Sequence, residues 1–115
     1  MANLKIKDKN GNWVSLPTIK GDSGIIKIEN PTETMIEIDA NKYYQFGEVT
    51  ELNITLKEPS DTTILNEYMF EFVSGDTATT LTLPDTIKWI EEPTIEASKT
   101  YQCSIVNNIG VLLGV

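Results

Sequence analysis

Apolar and polar residues alternate along this chain with a period of two, and no stretch carries the 3.6-residue apolar stripe of a helix. Leu4-Lys-Ile6-Lys opens a strand. Asp8-Lys-Asn-Gly11-Asn is turn chemistry, because Asn-Gly readily takes the positive φ values of a tight hairpin. Trp13-Val-Ser-Leu16 then returns and stops at Pro17, so residues 3–16 read as a short hairpin or paired ribbon. Residues 17–24, with Pro17 leading and Gly21 and Gly24 following, read as an extended, flexible connector.

Alternation resumes from Ile25, through Ile26 and Ile28, and breaks at Asn30-Pro31-Thr32. Ile36, Ile38 and Ala40 follow, and Asn41-Lys42 turns into Tyr44-x-Phe46, with Gly47 placed for a bulge or corner. Leu52-x-Ile54-x-Leu56 is the cleanest strand, and Tyr68-x-Phe70-x-Phe72 is the aromatic centre, closed by Ser74-Gly75-Asp76. Thr79, Leu81 and Leu83 share a face before Pro84-Asp85, and Ile87 and Trp89 make a short strand before Glu91-Glu92-Pro93. Tyr101, Cys103 and Ile105 make the next, and Asn107-Asn108-Ile109-Gly110 turns into the last strand, Val111–Val115.

The pattern predicts about eight short strands from Thr34 onward, with turn signals roughly every 8–12 residues. The expected fold is all-β: a small antiparallel β-sandwich, jelly-roll-like, preceded by an extended N-terminal arm with a short hairpin. Threonine and β-branched residues suit such half-buried pleated surfaces. The expected division is an arm over residues 1–28 and a head over residues 29–115. Inward positions are Ile36, Ile38, Phe46, Leu52, Ile54, Leu56, Tyr68, Phe70, Phe72, Leu81, Leu83, Trp89, Tyr101, Cys103 and Ile105. The one helical candidate, Asp61–Tyr68, is short and threonine-rich.

Composition narrows the chemistry. At 115 residues the chain fits a single domain with a core of its own. The longest purely apolar run, Gly110–Val115, falls far short of the roughly 20 residues of a membrane helix, so no membrane insertion is expected. The N-terminus alternates where a signal peptide would carry a continuous apolar core, so export by the usual secretory route is not expected. The single cysteine, Cys103, rules out an intramolecular disulfide, and its phase with Tyr101 and Ile105 predicts a buried thiol.

Histidine and arginine are both absent. The chain thus lacks the commonest general base and metal ligand, and the side chain best suited to bidentate phosphate contacts. With a net charge of −8, nucleic acid is not an expected partner. Glu67 and Glu71 share a strand face about 13 Å apart, opposite the aromatics, and read as solvated. Asp76, Asp85 and Glu48 lie near turns without forming a loop of alternating calcium ligands. Neither a cofactor nor a catalytic site is expected. Trp13, Trp89, Tyr43 and Tyr44 are the candidates for a sugar-stacking platform, although Trp89 alternates with Ile87 as a core residue would.

Charge divides the chain. Residues 1–28 hold five lysines against two aspartates, a balance of +3, whereas the remainder holds four lysines against fifteen carboxylates, a balance of −11. Such a basic arm is expected to dock onto an acidic surface, either its own body or another protein.

Two segments carry a resemblance. The opening, with Gly11-Asn-Trp13 and Ile19-Lys-Gly-Asp22, resembles the N-terminal anchor of many phage fibre and tail proteins. The remainder, with Tyr43-Tyr-Gln-Phe-Gly-Glu-Val-Thr50, Asn66-Glu-Tyr-Met-Phe-Glu-Phe72 and Thr80-Leu-Thr-Leu-Pro84, looks like a small β domain of virion proteins from phages and prophages of gut bacteria. The resemblance spans nearly the whole chain and implies a non-enzymatic virion protein: a capsid-decorating or head-fibre subunit, or a small tail or receptor-binding protein. It implies a homo-oligomer, commonly a trimer, with other virion proteins as partners. An arm plus one minimal domain favours capsid decoration. The alternative is a tail or baseplate receptor-binding or carbohydrate-binding adhesion module with a host-surface glycan as partner. The candidate attachment residues are Lys5, Lys7, Lys9, Trp13, Leu16, Ile19 and Lys20.

Overall fold

The computed structural model describes residues 26–115 and, for the backbone alone, residues 5–7 and 13–15. Strands β1 (Lys5–Lys7) and β2 (Trp13–Ser15) pair antiparallel, with Ile6 opposite Val14. Lys9, Leu16, Ile19, Lys20 and the connector 17–24 lie outside the described residues.

Every other described element is a strand, and none is a helix. These strands are β3 (Lys27–Glu29), β4 (Met35–Ile38), β5 (Lys42–Glu48), β6 (Glu51–Leu56), β7 (Glu67–Ser74), β8 (Thr80–Thr82), β9 (Lys88–Trp89), β10 (Lys99–Val106) and β11 (Ile109–Gly114). Six of them form one sheet in the order β3-β5-β7-β10-β11-β9, and three form another in the order β4-β6-β8. The larger sheet already begins at β3, ahead of Thr34.

The expected antiparallel pairing is corrected. Only β7, β10 and β11 are joined antiparallel within these two sheets; β3–β5, β5–β7, β4–β6, β6–β8 and β9–β11 are parallel. The cause is the path of the chain. From β3 to β8 each successive strand crosses to the other sheet, so neighbours within a sheet are two strands apart in sequence. A parallel pair needs a crossover of about a dozen residues, usually a helix. For the four pairs between β3 and β8 a strand of the opposite sheet fills that role, and β9 reaches β11 by way of β10 of their own sheet.

Residues from both sheets share one core. Ile38, Leu52 and Ile54 come from the smaller sheet; Tyr44, Phe70, Phe72, Tyr101, Cys103 and Ile105 come from the larger. Phe70 stacks on Phe72 at 6.3 Å between ring centroids and meets the edge of Phe46 at 6.2 Å, and Phe72 stacks on Tyr101 at 5.4 Å. Full burial of each such side chain is worth about 1.5–3 kcal/mol. All fifteen residues read as inward are either buried in this core or packed against it. Tyr44 and Ile87, both buried, join them.

Turn chemistry acts where the sequence places it. Asn41, Asn107 and Asn108 hold φ of 65°, 52° and 61°. Paired left-handed residues are what a tight β10–β11 hairpin requires. Gly47, at φ 71°, sits inside a register shift between Gln45 and Glu48 on β5. Residues 61–66 are no helix: Asp61 instead accepts the Thr63 amide at 2.9 Å, closing a turn around its own side chain.

Candidate docking surface

Two sheet edges meet at one corner. β8 is the last strand of the smaller sheet, β9 is the last strand of the larger, and residues 83–87 connect them. Between them lies a cleft of about 620 Å³. Thr79, Leu81 and Leu83 line one side, Ile87 and Trp89 another, and Pro93 and Ile95 a third. Asp85 and Glu92 also line it; both are exposed, and neither has an ion-pair partner among the described residues. Apolar side chains and two unpaired carboxylates thus line the same cleft, whose exposed surface is largely polar.

Backbone polarity leaves both edges open. The Thr80 amide donates to the Thr50 carbonyl at 3.0 Å, which turns Thr80 toward β6. Peptide groups alternate sides along a strand, so those of Leu81 turn away from β6 to the outer edge. Likewise the amides of Lys88 and Ile90 donate to the carbonyls of Asn108 and Gly110, at 2.7 and 3.0 Å. The peptide groups of Trp89 therefore face away from β11. Edges unpaired among the described residues are templates for another strand.

Two tethers hold the cleft's walls. The hydroxyl of Tyr101 accepts the Glu96 amide at 2.7 Å, pinning the segment after β9 onto β10. On the other side, the buried Ser74 hydroxyl accepts the Thr79 amide at 3.0 Å, and the Thr79 hydroxyl donates to the Val49 carbonyl. Trp89 lies over Gly110, where an added Cβ would come within 2.8 Å of its ring.

The aromatic candidates do not form a stacking platform. Tyr44 is buried, stacks beside Phe46 and accepts the Asp39 amide at 2.8 Å. Tyr43 points to the opposite face of β5, half-buried beside Glu71 and Gln102, where burial first and the Glu71 carboxylate next push its hydroxyl up to about 12. Trp89 packs against the core, and the side chain of Trp13 lies outside the described residues. Glu67 and Glu71 lie on the outer face and are engaged there, accepting from Ser104 at 2.6 Å and from Gln45 at 3.2 Å. Cys103 is a buried free thiol, pushed up to about 12 by desolvation. No group of three or more acidic, cysteine or histidine side chains is arranged to hold a metal among the described residues.

Of the candidate attachment residues, Lys5, Lys7 and Trp13 are placed on the β1–β2 pair, as backbone only. Sequence reasoning missed the cleft. It assigned Leu81, Leu83 and Trp89 to the core, which they do flank, and gave no role to Ile95. The proline-acid pairs Pro84-Asp85 and Glu92-Pro93 were the available signal. Comparison with known proteins finds no matching family, no matching curated protein and no matching solved structure.

Proposed function

We propose that this chain is a non-enzymatic structural subunit of a phage virion, a capsid-decorating or head-fibre protein. Its N-terminal residues attach it to the particle and its β-sandwich head projects outward. The observation that carries this reading is the charge division: a lysine-bearing arm of +3 leads into an all-β head of −11. Like-charged heads repel at close spacing, which keeps neighbours on a crowded surface apart, while the arm is free to engage an acidic partner. The resemblance of the opening segment to phage fibre anchors supports the same assignment.

The test is physical association. Gradient-purified particles should contain the full chain, and microscopy should locate it on the capsid. Removing residues 1–24 should abolish incorporation, and replacing Lys5, Lys7 and Lys9 with glutamate should weaken it. Raised salt should act in the same direction, because exposed charges are screened beyond about 8–10 Å. A truncated chain that decorates particles as well as the full one would reverse the roles of arm and head.

A further inference from the structure

We infer that the β8–β9 cleft seats an extended lysine- or arginine-bearing segment of another protein, added as a fourth strand along the free edge of β8. The two sheets are unequal in a way that leaves room for it. The six strands of the larger sheet span five spacings, about 24 Å, whereas the three of the smaller span two, about 10 Å. The smaller sheet ends at β8, where Leu81 lines the cleft together with Trp89 of β9. Thr80 is bound to β6, so the N–H and C=O of Leu81 turn to the open edge. Neither has a backbone partner there among the described residues. A strand laid along this edge gains main-chain hydrogen bonds and shields Leu81 and Trp89, as extended peptides do when they add to exposed sheet edges.

Charge selects the occupant. Asp85 and Glu92 are exposed in the cleft, and no lysine among residues 26–115 lines it. Lys42 and Lys99 are engaged elsewhere, with Asp39 at 3.1 Å and with Glu96 at 3.2 Å. Lys88 alternates with Trp89 on β9 and so turns to the other face, and Lys57 lines a separate hollow beside Asp61. The cation that complements the two carboxylates therefore comes from outside the head. The head of a second copy would bring a balance of −11 toward them, which opposes its approach. A cationic strand with small or aliphatic residues at alternate positions suits both the polar surface of the cleft and the side chain of Leu81. The cleft belongs to the head, whereas the virion reading turns on the arm, so the two stand or fall separately.

Nuclear magnetic resonance titration of the full chain with the synthetic peptide acetyl-TKVKVKT-amide, at low salt, is the experiment. The Leu81 amide should shift and exchange with solvent about tenfold more slowly, and the Trp89 indole should shift alongside it. Asp85→Lys with Glu92→Lys should weaken binding by about tenfold. Both residues are exposed, so their exchange leaves the core untouched. Methylating the backbone nitrogens of the peptide keeps its charge and removes its donors, and should loosen binding by a similar factor. No response at Leu81 would overturn the inference, as would binding indifferent to the charge reversal or to the methylation. So would a Leu81 amide that shifts in the Lys5→Glu, Lys7→Glu variant with no peptide present, because the chain's own arm would then hold the cleft.

Discussion

Truncating Phe70 to alanine removes a ring with no solvent exposure from the middle of β7, where it lies opposite Tyr44 on β5 and Cys103 on β10. Loss of a buried phenylalanine costs about 3–5 kcal/mol, from lost transfer energy and the cavity left behind. The ring also contacts Phe46 edge-on and Phe72 face-on, and such pairs add about 0.5–1.5 kcal/mol each, which puts the expected loss in the upper half of that range. A chain of 115 residues has roughly 6–17 kcal/mol of total stability, so the variant should fold but be markedly weakened. With a urea slope of about 1–3 kcal/mol per molar, the midpoint should fall by on the order of 2 M. Met69→Ala is the internal control. Met69 is the adjacent residue on the opposite face, only half-buried, and its truncation should cost about 1 kcal/mol or less. Urea titrations of both variants decide the matter. If Phe70→Ala costs less than about 1 kcal/mol, or no more than Met69→Ala, the assignment of faces on β7 is wrong.

Further outcomes follow from single contacts. Gly110→Ala should lower stability by about 1–3 kcal/mol in the same titration, because its Cβ would overlap the Trp89 ring and crowd Ile87. Ser74→Ala should cost about 1–3 kcal/mol by leaving the buried Thr79 amide without its acceptor, and Ser74→Thr should recover part of that if the hydroxyl is what matters. Cys103 should resist a water-soluble thiol reagent at a rate set by unfolding. Its thiol is raised from 9.0 to about 12 by burial, so the unfolded chain ionises first on the alkaline side. That contribution to stability is intact below pH 9 and is lost as pH rises toward 12, and Cys103→Ala should flatten the alkaline slope.

What the sequence determined by itself is the local layer of the structure. Period-two alternation forces strands, because side chains on a strand point to opposite faces and only one face can be buried. That rule alone found the inward faces of β6, β7 and β10, and asparagine and glycine chemistry found the turns at Asn41 and Asn107-Asn108 and the irregularity of β5 at Gly47. Alternation reports which face is buried and is silent about which strand lies alongside. Pairing depends on where the chain goes after each turn. Here it crosses repeatedly to the other sheet, so tertiary structure decided that most neighbours are parallel. Tyr44 marks the border between the two: its phase with Phe46 already sets it on the inward face and Tyr43 on the other, whereas its place opposite Phe70 comes from the register of β5 against β7. The cleft is further still from local pattern. It exists because two sheet edges, β8 and β9, meet at a proline corner and a non-strand segment, residues 92–95, closes the third side. Those three pieces have no common periodicity, and only the folded chain brings them together.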